Sequence, residues 1–596
     1  MLNVSMFSKV KRNFRVARAC RNGVSPRALS AFWKEEEGAA TILTLFIFMF
    51  MLVMAGLGVD TMRHEMERAH LQATLDSAVL AGAGTPTQKT KNEVREIVQD
   101  YFEKSGMSQY LNEISDDDIE STINSTRIAA SANMEIDTYL MKLSGVQTLS
   151  ASAAATAEIT IPKIEVSLVL DVSGSMKGAK IDEVQEGAKD FVTAIIGGAD
   201  PGNSFISLIP FNANVTPSAG LYNALTVSEG HQRSTCLRFD QADFNTVKLN
   251  PNNSFDQQIF TSSHGNTFNN HNAGSLTSGG SAEFNRSCFT NDYVEILPYS
   301  MSVGDLHKAI EALQAAGYTS QNIGMKWATA LLDPAFSSVV TELQKPVPSV
   351  DADGNAVMVS EVNPALKNIP ASYADQETQK IIVLMSDGDN TRTHLFPMNS
   401  KFRGTGSDLY EIRPDDASDP ADFEYFVYIE DDNDYYSVED DEVIQTWQFN
   451  NLTNDMDVYV EGVDEIPEIG TAGGDIVVQR TWEQAWGFMS PILYEEITGD
   501  DSAEKQYWNN RIKGSKKDKW MKAICNEAKK NENLVVYTIG FEIAAGGNAE
   551  KVLKNCASGS NGVSGETNYY FPANRETIKK TFDAIASNVQ NLRLTQ

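Results

Sequence analysis

The sequence predicts an α/β protein tied to a membrane by one N-terminal helix. A small α+β stem follows the helix, and a doubly wound parallel sheet with two long insertions follows the stem. Three observations carry this expectation. Residues Ala39–Val59 (AATILTLFIFMFMLVMAGLGV) hold no charge, and about 20 apolar residues span a bilayer. Beyond residue 162, short Val-, Ile- and Leu-rich runs alternate with helical stretches, the rhythm of a parallel sheet. At the end of the first such run stand Asp171, Ser173 and Ser175. A carboxylate and two hydroxyls are hard oxygen ligands for a small divalent cation, and open α/β sheets bind ligands at the carboxyl ends of their strands.

The 596 residues exceed what one core holds, about 250–300 residues. A net charge of −31 argues against nucleic acid as a partner, because phosphate binding needs clustered Lys and Arg. The exception to the acidity is the start, where Lys9, Lys11, Arg12, Arg15, Arg18, Arg21, Arg27 and Lys34 cluster. The positive-inside rule therefore puts a basic tail, 1–38, in the cytoplasm and the rest across the membrane. A cleaved signal peptide is the competing reading. The apolar run exceeds a signal core of about 7–15 residues, and no small-x-small site follows it, so 39–59 is expected to stay as a transmembrane anchor.

Residues 60–162 form the expected stem. A helix continues from the anchor to about residue 83 and is ended by Gly82-Ala83-Gly84-Thr85-Pro86. A second helix reads over Lys91–Lys104, and Ser121–Ile136 and Leu149–Ile161 alternate like strands. Residues 163–596 form the main domain. Strands are expected at Ile164–Leu170, Ser204–Phe211, Lys380–Met385 and Leu534–Ile539. Helices are expected at Lys180–Ile195, Gly304–Ala315, Gln321–Leu332, Lys517–Lys530 and Glu576–Asn588. Residues 213–292, rich in Asn, Ser, Gly and Thr, and 388–516, rich in Asp, Glu, Tyr and Trp, are too long for bare loops. They read as insertions with some order of their own.

On this topology Cys20 is a cytoplasmic free thiol, while Cys236, Cys288, Cys525 and Cys556 lie on the oxidising side. Four cysteines leave three pairings open. Cys236–Cys288 and Cys525–Cys556 are preferred, because each pair brackets one local region. Zinc is disfavoured, since no C-x2-C spacing occurs.

Thr319, in Gly317-Tyr318-Thr319-Ser320 before a helix, and Asp387, at the end of another apolar strand, extend the oxygen set. Asp171, Ser173, Ser175, Thr319 and Asp387 together resemble the metal-ion-dependent adhesion site (MIDAS) of von Willebrand factor type A domains. The resemblance implies a Rossmann-like, doubly wound von Willebrand A domain. It also implies Mg²⁺, with Mn²⁺ or Ca²⁺ as alternatives, completing its shell with a carboxylate from a partner. The chemistry agrees: three hydroxyls and few carboxylates under-neutralise the ion, and Mg²⁺ keeps water-filled positions.

The N-terminal region adds a second resemblance. Gly38-Ala39-Ala40, the apolar span, Gly58-Val59-Asp60 and Leu71-Gln72-Ala73-Thr74-Leu75-Asp76-Ser77-Ala78-Val79-Leu80-Ala81-Gly82 resemble the TadE/TadG-like segment of Flp/Tad pilus assembly. Arg127–Ala151 resembles the stem of that family. Leu313–Thr319 and Gly324–Ala328 are similar to the TadG form of the Thr segment. Processed pseudopilins of these systems carry Glu five residues after the cleavage Gly. Here Leu43 follows Gly38 at that distance, which implies an unprocessed anchor.

Other features are weaker. His64-Glu65 and His70 lack the four-residue spacing that puts two zinc ligands on one helix face. No G-x-x-x-x-G-K-[ST] or G-x-S-x-G occurs. Asp351-Ala352-Asp353-Gly354-Asn355 reads as a hairpin turn rather than a calcium loop. The acidic run Asp431, Asp432, Asp434, Glu439, Asp440, Asp441 and Glu442, interleaved with Tyr428, Tyr435 and Tyr436, reads as solvated loop. A Ca²⁺ cluster or a basic partner is its sharper alternative.

The expected function is non-enzymatic. A single-pass protein of a bacterial inner membrane, mostly periplasmic, uses a metal to bind an acidic side chain on another Flp/Tad pilus-assembly component. The alternative is a surface adhesin that binds host or matrix ligands through the same metal. A hydrolase is disfavoured, because none of the seven His lies in the ligand segments and a hydrolytic site needs a base or nucleophile near its metal.

Overall fold

The computed structural model describes residues 37–83, 91–121, 125–160, 163–197, 202, 204–228, 230–262, 286–290, 292–350, 354–375, 377–469, 471, 473–531, 533–559 and 569–595. The expectations for Cys20, the basic tail up to residue 36, the helix stop at Gly84–Pro86, Asp351–Asp353 and the middle of the first insertion lie outside these residues. The chain forms two compact units that divide at Ile159/Thr160.

The first unit is built on helix α1, Glu37–Ala83. Among the described residues it is the one helix long and apolar enough to cross a membrane. Past the apolar span, Leu71, Leu75, Ala78 and Val79 form a buried stripe at helical spacing. They pack on Val94, Val98 and Phe102 of α2, Lys91–Lys104. A three-stranded sheet completes this core: β1 Ile119–Ser121, β2 Ser125–Asp137 and β3 Thr148–Thr160, in that order. Ile128, Ala132, Met134 and Ile136 face inward at even spacing, as a strand requires.

The second unit is organised by a six-stranded sheet. In chain order its strands are β4 Lys163–Asp171, β5 Ser204–Phe211, β6 Leu297–Ser300, β7 Thr378–Ser386, β8 Leu534–Phe541 and β9 Tyr570–Ala573. In space they run β9-β8-β7-β4-β5-β6. All neighbours are parallel except the edge strand β6, which is antiparallel to β5. This is the 3-2-1-4-5-6 order of open doubly wound sheets, with the order reversing between the first and fourth strands, here β4 and β7.

Both faces of the sheet are covered, so the central strands carry continuous apolar runs rather than alternation. Val166, Leu168 and Leu170 pack with α3 (Ala179–Ile196), α4 (Val303–Ala312) and α8 (Ile578–Thr595). Val169 faces the opposite side, with α5 (Gln321–Leu332), α6 (Gly514–Ala528) and α7 (Asn548–Cys556). Inside the sheet, Glu165 and Lys380 stand opposite each other on β4 and β7 and form a buried ion pair. Ala371 N donates to Glu165 Oε1 at 2.7 Å, and Lys380 Nζ donates to the Leu332 carbonyl at 2.9 Å.

The structure departs from the sequence reading in several elements. α4 stops at Ala312 instead of Ala315, because Ala316 N donates to the Val172 carbonyl, 2.8 Å, and draws the chain alongside the 172–174 turn. α6 starts at Gly514 rather than Lys517, and α8 spans Ile578–Thr595 rather than Glu576–Asn588. The sequence reading passed over β6, β9 and α7. β9 carries Pro572 and β6 carries Pro298; both lie at sheet edges, where a missing ladder donor is tolerated.

The second insertion is a folded subdomain. Its own six-stranded sheet runs Glu442–Gln445, Asp434–Ser437, Glu424–Ile429, Leu409–Arg413, Ile476–Gln479 and Asp457–Val460 across its width. Phe396, Phe402, Trp482, Trp486, Phe488 and Tyr494 fill an aromatic core. Of the acidic run, Asp434 and Glu442 lie in its strands and Asp431, Asp432, Glu439, Asp440 and Asp441 in the turns between them, so the run belongs to a sheet rather than the solvated loop expected from its charge. Tyr436 Oη donates to Asp441, Ser437 Oγ to Asp440 at 3.0 Å, and Thr446 N to Asp434 at 3.0 Å. The cysteines pair as Cys236–Cys288, within the first insertion, and Cys525–Cys556, joining α6 to α7.

Candidate metal centre

β4 and β7 are neighbours in parallel register, with Met385 opposite Leu170. Their carboxyl ends therefore deliver Asp171 and the Ser386-Asp387 pair to one place, at the point where the strand order reverses. Asp171 is fully buried. Its Oδ1 accepts the Ser173 N–H at 2.8 Å and its Oδ2 accepts the Ser386 hydroxyl at 2.6 Å. Burial first, and the nearby Asp387 charge second, push its carboxyl up to about 6.

The turn after Asp171 brings Ser173 Oγ within 3.0 Å of Ser175 Oγ, and Ser175 Oγ donates to Asp387 Oδ1 at 2.6 Å. The other oxygen of Asp387 is committed to Lys180, whose Nζ lies 2.7 Å away. Lys180 stands in the first turn of α3 and also lies 3.6 Å from Glu542. Asp171, Ser173, Ser175 and Asp387 are thus one connected cluster.

Thr319 is held beside this cluster by its backbone. Gly174 N donates to the Gly317 carbonyl at 2.9 Å, which ties the two loops together. Gly317 has φ +82°, and a Cβ there would sit 2.6 Å from the Phe289 ring, so the turn calls for glycine. Thr319 N donates to Thr391 Oγ1 at 2.7 Å, and its carbonyl accepts the Thr391 N–H at 3.0 Å. Among the described residues it shares no hydrogen bond with the other four. Lys517 Nζ donates to Ser320 Oγ at 2.7 Å, and burial depresses this ammonium to about 7.

The oxygens fit a small hard cation. Octahedral coordination at about 2.0–2.1 Å places adjacent oxygens about 2.9 Å apart, close to the 3.0 Å between Ser173 and Ser175 and the 2.6 Å between Ser175 and Asp387. The donors are hydroxyls and carboxylates, the set that suits Mg²⁺, Mn²⁺ or Ca²⁺. Among the described residues no group of three His, Cys, Asp or Glu could hold a metal, so any cation here leans on hydroxyl oxygens.

Sequence reasoning missed Ser386, Lys180, Thr391 and Lys517. Ser386 was legible in principle, because parallel pairing sets it opposite Asp171. Lys517 lies among Lys516, Lys519 and Lys522, and nothing in the run distinguishes the one that is buried.

Residues 38–85 match the family model described as "Putative Flp pilus-assembly TadE/G-like". The start of the described chain is a TadE/G-like segment. That segment coincides with helix α1 almost from end to end. No curated protein matches the chain. Solved structures similar to it include the vWF domain of the type V pili tip protein Mfa5 from Porphyromonas gingivalis, 12% identical, covering 72% of this chain and 96% of that one, at TM-score 0.27. The adhesive tip pilin GBS104 from Group B Streptococcus agalactiae is 11% identical, covering 72% and 99%, at TM-score 0.27. The PilB minor pilin from Streptococcus sanguinis is 12% identical, covering 79% and 76%, at TM-score 0.25.

Proposed function

We propose that this protein is a non-enzymatic, membrane-anchored component of Flp/Tad-type pilus assembly that binds its partner through a metal at a von Willebrand A-type site. The observation that carries the reading is the convergence of Ser173, Ser175 and Asp387 oxygens beside Asp171 at the strand-order reversal, in the chain that carries the TadE/G-like segment. Ser173, Ser175, Thr319 and Asp387 would hold Mg²⁺, with Asp171 behind them. The ion would supply a Lewis-acid anchor for a carboxylate on the partner. Ser386 and the Ser173 N–H keep Asp171 oriented, and Lys180 fixes Asp387. The apolar span would place the protein in the inner membrane, with the basic tail cytoplasmic and the remainder periplasmic.

The test is capture of pilus components by the full-length protein in detergent. Capture is expected to fall on adding EDTA, to return with Mg²⁺, and to be lost in Asp171→Ala while the protein remains folded and abundant. Piliation should fail in the same variant. Capture indifferent to both EDTA and Asp171→Ala would remove the metal from the reading. Labelling of the main domain by membrane-impermeant reagents on intact cells would favour the surface-adhesin alternative.

A further inference from the structure

The stem hairpin β2–β3 runs along α1 toward the apolar span, and the contacts set its direction. Gln72 Nε2 donates to the Ala154 carbonyl at 3.1 Å, and His64 Nε2 lies 3.0 Å from the Ser150 carbonyl. Arg63 donates to the Asp137 carbonyl at 3.0 Å, and its guanidinium stands 4.4 Å from the Tyr139 ring centroid. The buried Asp60 carboxylate accepts the N–H groups of Tyr139, Leu140 and Met141 at 3.0, 2.8 and 2.6 Å. One turn further down, Leu140 lies against Gly56, where a Cβ would come within 2.5 Å of Leu140 Cβ. The tip is closed by Thr138 N donating to the Gln147 carbonyl at 2.9 Å.

Gly56 lies three residues inside the apolar span that ends at Val59, about 4.5 Å along the helix axis. At that level the hairpin tip exposes Tyr139 (59%), Leu140 (39%), Leu143 (77%) and Val146 (41%) to its surroundings. Interfacial segments bury their apolar side chains about 5–10 Å into the headgroup and acyl boundary. The exposed Lys142 can reach back to the headgroups, and Tyr139 with Arg63 forms the aromatic–basic pair that membrane interfaces favour.

We infer that the tip Tyr139–Val146 is a second membrane contact, embedded in the same bilayer leaflet from which α1 emerges. The inference rests on the reading of 39–59 as a membrane span. Its occupant is lipid, because Leu140 is fastened to a helix position that itself lies within the apolar span. Asp60 and Gly56 then have a shared role: one caps the tip and the other lets it approach. Two contacts, one spanning and one interfacial, would restrict the tilt of the stem on the membrane.

The test uses full-length protein carrying Cys20→Ser, reconstituted in phosphatidylcholine–phosphatidylglycerol vesicles. An environment-sensitive fluorophore is attached at Leu143→Cys, Val146→Cys, Leu45→Cys or Gln99→Cys, one per protein. Leu143 and Gln99 are exposed in the stem, so both variants should fold. The Leu143 and Val146 probes are expected to lose iodide quenching relative to the Gln99 probe. Lipids spin-labelled near the headgroup should quench them most, and lipids labelled deep in the acyl chain should quench the Leu45 probe most. Iodide quenching at Leu143 equal to that at Gln99, with Leu45 protected, overturns the inference, keeps the anchor, and leaves a protein partner as the occupant of the tip. Iodide access at Leu45 as well overturns the anchor reading and the inference with it.

Discussion

Lys180 shows how single residues set the character of the candidate site. It occupies one oxygen of Asp387 and leaves the other turned to Ser175, so the cluster holds a fixed positive charge before any cation arrives. A second buried pair, Glu165–Lys380, is structural. Lys380→Met should leave the buried Glu165 carboxyl without its partner in the sheet and cost about 3–5 kcal/mol, whereas Lys380→Met with Glu165→Leu should recover most of the loss. Urea denaturation of the two variants measures the difference. His231 provides a pH test. Its Nε2 lies 2.9 Å from the Gln258 carbonyl and its Nδ1 accepts the Arg233 N–H, so the neutral ring is the one that fits. Burial lowers it to about 4. Above about pH 6.5 the ring is neutral in folded and unfolded chains, and its stability contribution is complete. As pH falls from there toward 4, only the unfolded chain takes up the proton, and about 3 kcal/mol is lost. His231→Gln, which keeps a donor for the Gln258 carbonyl, should flatten this part of the stability–pH curve.

At the scale of elements, the long buried strands and the best-patterned helices were legible. The spacing placed α2 and α5 within their observed limits, Lys91–Lys104 and Gln321–Leu332, because an apolar stripe at 3.6 periodicity is written along the chain. The short edge strands β6 and β9 were not legible. Four residues with a proline inside carry no alternation, and only the neighbouring strand makes them strands. The second insertion hid its sheet for a related reason: strands of four to six residues alternate with acidic turns, and the charge masks the period. The disulfides were readable from locality alone. Cys525–Cys556 closes 31 residues between α6 and α7, so Cys525→Ala with Cys556→Ala should cost about 4 kcal/mol on the loop-entropy account. Chemical denaturation of the oxidised and double-variant proteins checks it.

At the scale of the molecule, the chain is two units, each with a buried core of its own. Calorimetry in detergent should therefore resolve two unfolding transitions rather than one. If the site binds Mg²⁺, chelation should lower only the transition of the larger unit, since a ligand stabilises only the structure that binds it. The sequence by itself determined the membrane-length helix and the alternation that makes a doubly wound sheet, favoured the local cysteine pairs, and nominated five candidate ligands, of which the fold joins Asp171, Ser173, Ser175 and Asp387 in one cluster. Composition, periodicity and short motifs are properties of neighbouring residues, and they can be read along a line. Only the tertiary structure decided that β4 and β7 lie side by side, that Ser386 and Lys180 complete the cluster, and that Leu140 reaches Gly56. Each of these joins residues dozens to hundreds of positions apart, and such contacts exist only once the strands and helices have packed.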